Sequence, residues 1–311
     1  MEQRAEGLDA TIESILDRVV PTMLRVSWRT HHLAQNVGVR DSNRTTDRGL
    51  VIERVEQWGP GDHVDDIASA QTGWTDLVTT VYRDQTPLDV IVVANLAATM
   101  EFGTERTTKR ILAAEIQAGI LAAAEQRRDN IGAIAFSDNR MESRLPLQTA
   151  SRELLREALW LYLSAQTQTQ APSAIPAIDS GLVESLANLP VNRRCLVFVI
   201  SDFGNLAEAE TEALTYAACR HDVCCVVLED RREEELPPGG GVRMFRDLRS
   251  GATQAVSLTE DGRRRWREEY RRNKEALVLL LSESCGCAVW TFKTGAEPAE
   301  SLAMLLAGES Q

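Results

Sequence analysis

Leu88-Asp-Val-Ile-Val-Val-Ala-Asn-Leu-Ala-Ala-Thr-Met100 is an apolar run rich in Val and Ile that ends in short polar residues. A helical pattern follows it. A continuous apolar run of this length is the signature of a strand buried on both faces of a parallel sheet. The short polar residues at its end place a loop on the rim where open α/β sheets gather their ligands.

Outward from this run, strand and helix patterns alternate. Strands are predicted at Leu88–Ala94, Ile131–Phe136, Cys195–Ser201, Asp222–Leu228 and Cys287–Lys293, and helices at about 106–127, 150–165, 205–219, 259–284 and 297–307. That order implies right-handed βαβ crossovers and a mostly parallel, doubly wound sheet. Upstream, Leu8, Ile12, Ile15, Leu16, Val19, Val20, Met23 and Leu24 recur at helical spacing within 8–34, and Pro21 is expected to kink or divide that helix. The polar stretch 40–49 reads as a loop. Leu50–Val55 and Asp76–Arg83 read as strands flanking the turn Gly59-Pro-Gly-Asp62, and Gln166–Pro176 as an exposed connection. The expected organisation is an N-terminal helical segment at 1–39, extra strands at 40–85 and the α/β domain at 86–311.

Composition narrows the classes. With 43% hydrophobic and 26% charged residues in 311, the chain reads as globular and can bury a sizeable core. No apolar run approaches the roughly 18 residues of a membrane span. The first residues lack the basic and apolar regions of a secretory signal, so a cytoplasmic location is expected. The net charge of −12 argues against general nucleic-acid binding, which needs a basic surface. Of the six cysteines, Cys195, Cys224 and Cys225 lie in strand patterns, Cys219 ends a helix, and Cys285 and Cys287 flank Gly286. None has metal-ligand spacing, and buried reduced thiols are expected.

Several segments stand in the order of a known family. These are the Pro-Gly-Asp turn at Gly59–Asp62, the loop Asn95-Leu-Ala-Ala-Thr-Met100, Asp179-Ser-Gly-Leu182, and Phe198-Val-Ile-Ser-Asp-Phe203. Downstream come Val227-Leu-Glu-Asp230, Glu235-Leu-Pro237 and Asp247-Leu-Arg-Ser-Gly251. Together they resemble the MoxR-associated, von Willebrand factor A-like proteins of bacteria, first catalogued as a domain of unknown function. Where that family continues its turn with Arg and Ile-Asp-Trp, this chain has Asp65, Ile67, Ala68 and Ser69.

The resemblance implies a metal-ion-dependent adhesion site of the form Asp-x-Ser-x-Ser, completed by a third hydroxyl and an outer acid. Residue by residue, it assigns Asn95, Thr99, Ser180 and Asp202 to that site. Here the first acid is an amide and the first hydroxyl is the methyl of Ala97. Mg²⁺ seeks an octahedral shell of oxygen ligands steadied by carboxylates, and little charge is left to balance it. The site is therefore expected to be degenerate, with no resident cofactor. Asn95 and Asp202 would cap the loop and the neighbouring helix through backbone amides. A Mg²⁺ held by Thr99, Ser180 and Asp202 is the alternative.

Enzymatic signatures are absent from the sequence. There is no Gly-x-Ser-x-Gly elbow and no phosphate loop, and Gly239-Gly-Gly241 reads as a turn into a strand. His31, His32, His63 and His221 have no ligand spacing. The basic helix Gly262–Lys274 reads as a solvated face with Arg–Glu pairs. Its second reading is a docking stripe in which Arg263, Arg264, Trp266, Arg267 and Tyr270 meet an acidic partner. The resemblance implies a non-enzymatic, chaperone-like adaptor for a MoxR-type AAA+ ATPase that matures or remodels a client protein, metal or cofactor insertion included. A metal-dependent protein-binding module and a structural subunit of a larger complex are the other readings.

Overall fold

A computed structural model describes residues 2–23, 50–57, 78–84, 87–165, 180–204, 206–246, 248 and 251–307. The loop at 40–49, the Gly59–Asp62 turn and the Gln166–Pro176 connection lie outside them, as do His31, His32 and His63. The chain forms two compact units, residues 30–87 and the remainder. Met1–Arg29 falls with the main unit. In the smaller unit, β1 (Leu50–Gln57) and β2 (Val78–Asp84) pair antiparallel with an irregularity between Ile52 and Arg54.

In the main unit, α1 (Glu2–Met23) is followed by β3 (Asp89–Asn95), a 3-10 turn at Ala98–Glu101 and α2 (Lys109–Arg127). Then come β4 (Asn130–Phe136), β5 (Met141–Thr149), α3 (Arg152–Ser164), α4 (Gly181–Ala187), β6 (Leu196–Ser201), α5 (Glu208–Arg220) and β7 (Asp222–Glu229). The short α6 (Arg231–Glu234), the hairpin β8 (Val242–Arg246) and β9 (Thr253–Ser257), α7 (Glu260–Leu279), β10 (Ala288–Lys293) and α8 (Pro298–Ala307) complete it. The six-stranded sheet runs β10-β7-β6-β3-β4-β5, parallel except for β5. This is the doubly wound, mostly parallel α/β architecture expected. β3 and β6 lie at its centre, so the loops after them share one rim.

Burial on both faces explains the unbroken apolar strands. Ile91, Val93, Ile134, Val197, Val199, Cys225 and Val227 face a core closed by Leu182 and Leu186 of α4, Leu214 of α5, and Leu281. On the other face lies α2, with every residue from Lys109 to Ala124 buried except Ile111. It is covered in turn by α1, α3 and α8. The apolar stripe Ile12, Ile15, Leu16, Val19 and Met23 is buried within this layer. α1 continues through Pro21 to Met23, and Pro21, which has no N–H, gives up the bond to the Asp17 carbonyl close to that end. Within this packing Glu115, 1% exposed, is held by Arg106 and by Arg18 of α1 at 2.9 Å.

Four elements lie outside the predicted pattern: β5, α4, α6 and β9. β5 is an edge strand with mixed burial, and Pro146 sits at its irregular register with β4. The predicted helix at 259–284 is α7 with a π-helical turn at Leu280–Ser284. Among the described residues, no helix is long and apolar enough to cross a membrane.

Candidate functional site

The loops after β3, β4 and β6 meet in an open crevice lined by Asn95, Ser137, Asp138, Ser201, Asp202 and Glu210, with Phe136, Leu182, Phe203 and Leu206 as its apolar wall. Its empty volume is about 310 Å³ with the adjoining solvent counted in. Asn95, at the end of β3, is 4% exposed. Its Oδ1 accepts the Ala97 amide at 2.8 Å, and its Nδ2 donates to Ser201 Oγ at 3.0 Å. Ser201 Oγ also accepts the Phe203 amide at 3.1 Å. One amide and one hydroxyl thus fix both loop backbones, while the Tyr162 hydroxyl donates to the Asn95 carbonyl at 2.9 Å. Phe203 adopts a positive φ of 46°, a strained turn that this bonding holds in place.

Asp202 faces a buried lysine. Its Oδ2 accepts from Lys109 Nζ at 3.1 Å, and Lys109 also reaches Glu233 Oε1 at 2.5 Å. Burial opposes charge on Lys109, but the two carboxylates outweigh it and hold its pKa above the usual lysine value. Ser180 occupies the N-cap position of α4, and its hydroxyl donates to Glu210 Oε1 at 2.6 Å. Thr99 lies half-buried on the 3-10 turn and does not line the crevice. Of the four sequence-assigned residues, Asn95 and Asp202 share the crevice wall, Ser180 touches it through Glu210, and Thr99 stands apart.

This donor set does not fit a divalent ion. The Asn95 side-chain oxygen serves a backbone amide, and the Asp202 charge faces an ammonium. Among the described residues, no group of three or more His, Cys, Asp or Glu is placed to hold a metal.

Beside the rim, Asp230 caps α6. It accepts from the Thr104 amide at 2.8 Å and from the hydroxyls of Thr104 and Thr294, each at 2.6 Å. Burial works against its charge, but these donors and the Arg232 amide hold its pKa below the usual aspartate value. α6 receives the basic helix. Trp266 Nε1 donates to the Glu233 carbonyl at 2.8 Å, Arg271 pairs with Glu234 at 2.8 Å, and Arg267 lies 3.8 Å from Glu235. Arg263 donates to the carbonyls of Gly239 and Leu258. Tyr270 buries a hydroxyl with no hydrogen-bond partner among the described residues. Of the five residues of the docking stripe, Arg264 is turned to solvent and pairs with Asp261 on its own helix.

Sequence reasoning missed Lys109, Glu233, Tyr162 and Glu210. One signal for Lys109 was present. A lysine directly after the capping Thr108 opposes the positive end of the helix dipole, a mismatch that a nearby carboxylate relieves.

A mostly parallel six-stranded sheet with helices on both faces and one antiparallel edge strand makes the main unit a doubly wound α/β domain. The chain belongs to the family described as protein of unknown function DUF58, which matches residues 54–276. It is 28% identical over 174 residues to "Uncharacterized protein Rv1480" of Mycobacterium tuberculosis and to "Uncharacterized protein Mb1516" of Mycobacterium bovis. Each match covers 55% of this chain and spans about half the relative's length, 51%. Among solved structures it is similar to the conserved hypothetical protein BatB from Bacteroides thetaiotaomicron, at 16% identity and a TM-score of 0.44, over 71% of this chain and 96% of that one. It is also similar to a von Willebrand factor type A protein from Catenulispora acidiphila, at 10% identity and a TM-score of 0.40, over 75% and 45% of the two chains.

Proposed function

We propose that this protein is a non-enzymatic, cytoplasmic adaptor for a MoxR-type AAA+ ATPase. The ATPase supplies the energy for maturing or remodelling a client, metal or cofactor insertion included, and the A domain presents its rim to the client or to the ATPase. The observation that carries this reading is the use of polar groups at the rim. Asn95, Ser201 and Tyr162 hold loop backbones, and Asp202 and Glu210 answer neighbouring side chains. Such groups shape a stiff, preorganised surface for a protein partner rather than poise a nucleophile. Family membership and the ordered family landmarks in the sequence support the ATPase partnership.

Gly204 supplies the test. It lines the crevice, and a Cβ built there meets nothing within 4 Å. The Cβ of Gly204→Trp should therefore enter without a clash and its indole should block the rim, with Tm read alongside to confirm that the variant folds. Native pull-down of the tagged protein with and without ATP, read by mass spectrometry, is expected to recover an AAA+ ATPase with the wild type. Recovery should drop at least about tenfold with Gly204→Trp, the loss of one well-placed interface anchor. Capture of no ATPase by the wild type in either condition would overturn the adaptor reading.

A further inference from the structure

Lys109 is placed against local preference. It opens α2, at the end of the helix where a cation is least welcome, and its side chain is fully buried. An isolated ammonium would not persist there, and two carboxylates from separate segments enclose it. Asp202 arrives on the loop after β6 and Glu233 on α6, after β7. Lys109 itself follows β3, so a single charge gathers the segments after three adjacent central strands.

We propose that Lys109 is the resident cation of this rim. Its ammonium pairs with the carboxylate that would otherwise steady a divalent ion, so the rim assembles without Mg²⁺, Mn²⁺ or Ca²⁺. Three independent features agree. Asp202 already has its counter-ion in hydrogen-bond contact. Asn95 brings an amide in place of a negative charge, and its oxygen accepts the Ala97 N–H. Position 97 has no side-chain oxygen to offer. A divalent ion entering beside Asp202 would meet the repulsion of a buried ammonium. The inference concerns how the rim is built and holds whichever partner docks on it.

The test uses the full chain. Wild-type Tm is expected to be the same in EDTA, Mg²⁺, Mn²⁺ and Ca²⁺, and the electron paramagnetic resonance signal of free Mn²⁺ should not fall on adding protein. Mn²⁺ uptake by the wild type, or a Tm lowered by EDTA, would overturn the proposal, and neither reading needs a variant. Lys109→Met should raise the unfolding equilibrium constant roughly a hundredfold, as expected when a buried ion pair loses one partner. Combined with Asp202→Asn, it should cost at least about fivefold less than the product of the two single effects. Strictly multiplicative effects would show that Lys109 does not balance Asp202. If Lys109→Met does not fold, Lys109→Arg keeps the charge, and it should fold and remain insensitive to EDTA. An EDTA-sensitive Lys109→Arg protein would also overturn the proposal.

Discussion

His221 is buried at the start of β7, where its Nδ1 accepts the Cys195 amide at 3.3 Å. Burial, then the nearby Arg220 and Arg194, lowers its pKa below the usual 6.5. Because the unfolded chain takes up the proton more readily, stability is fully present above about pH 6.5 and is lost as pH falls through the native value. Urea unfolding between pH 7 and pH 5 should show this loss, and His221→Gln should flatten that part of the profile. The thiols give a second residue-scale check. Cys219 is exposed, while Cys195, Cys224, Cys225, Cys285 and Cys287 are buried, and burial raises the thiol pKa of Cys195 to about 12. An aromatic disulfide reagent should titrate one thiol in the native protein and six in denaturant. The burial of the strand cysteines was legible because their apolar neighbours mark them as core. The partner of Asp202 was not, because Lys109 and Asp202 are 93 residues apart and only the sheet order brings them together.

At the scale of elements, the basic helix shows what periodicity conceals. Its Trp266 and Tyr270 do share a face, as their spacing implies, but that face meets α6 of the same chain. Four-residue α6 has no periodicity to announce it, so its role as a platform emerges only from Asp230, Glu233 and Glu234. The two aromatic positions should respond differently. Tyr270→Phe removes a buried hydroxyl that has no hydrogen-bond partner among the described residues, and should leave stability within about 0.5 kcal/mol of wild type. Trp266→Phe loses the indole bond to Glu233 and should cost about 1 kcal/mol in urea unfolding. The long central strands and α2 were legible because burial on both sides writes apolar runs into them. β5 was not, because an edge strand with mixed burial carries no comparable run.

At the scale of the molecule, depth of burial sets an order of local stability. Amides of β3, β6 and β7, buried along nearly their whole length, should exchange with deuterium most slowly. Those of β8 and β9, a two-stranded ribbon exposed along most of both strands, should exchange fastest. On the β5 side the sheet ends at a strand that is irregular in register and carries Pro146, which has no N–H to give a neighbour. Crowding copies of this chain together, as in an inclusion body or a concentrated stock, therefore offers along that border a strand-addition template broken in its middle, which disfavours ordered polymerisation there.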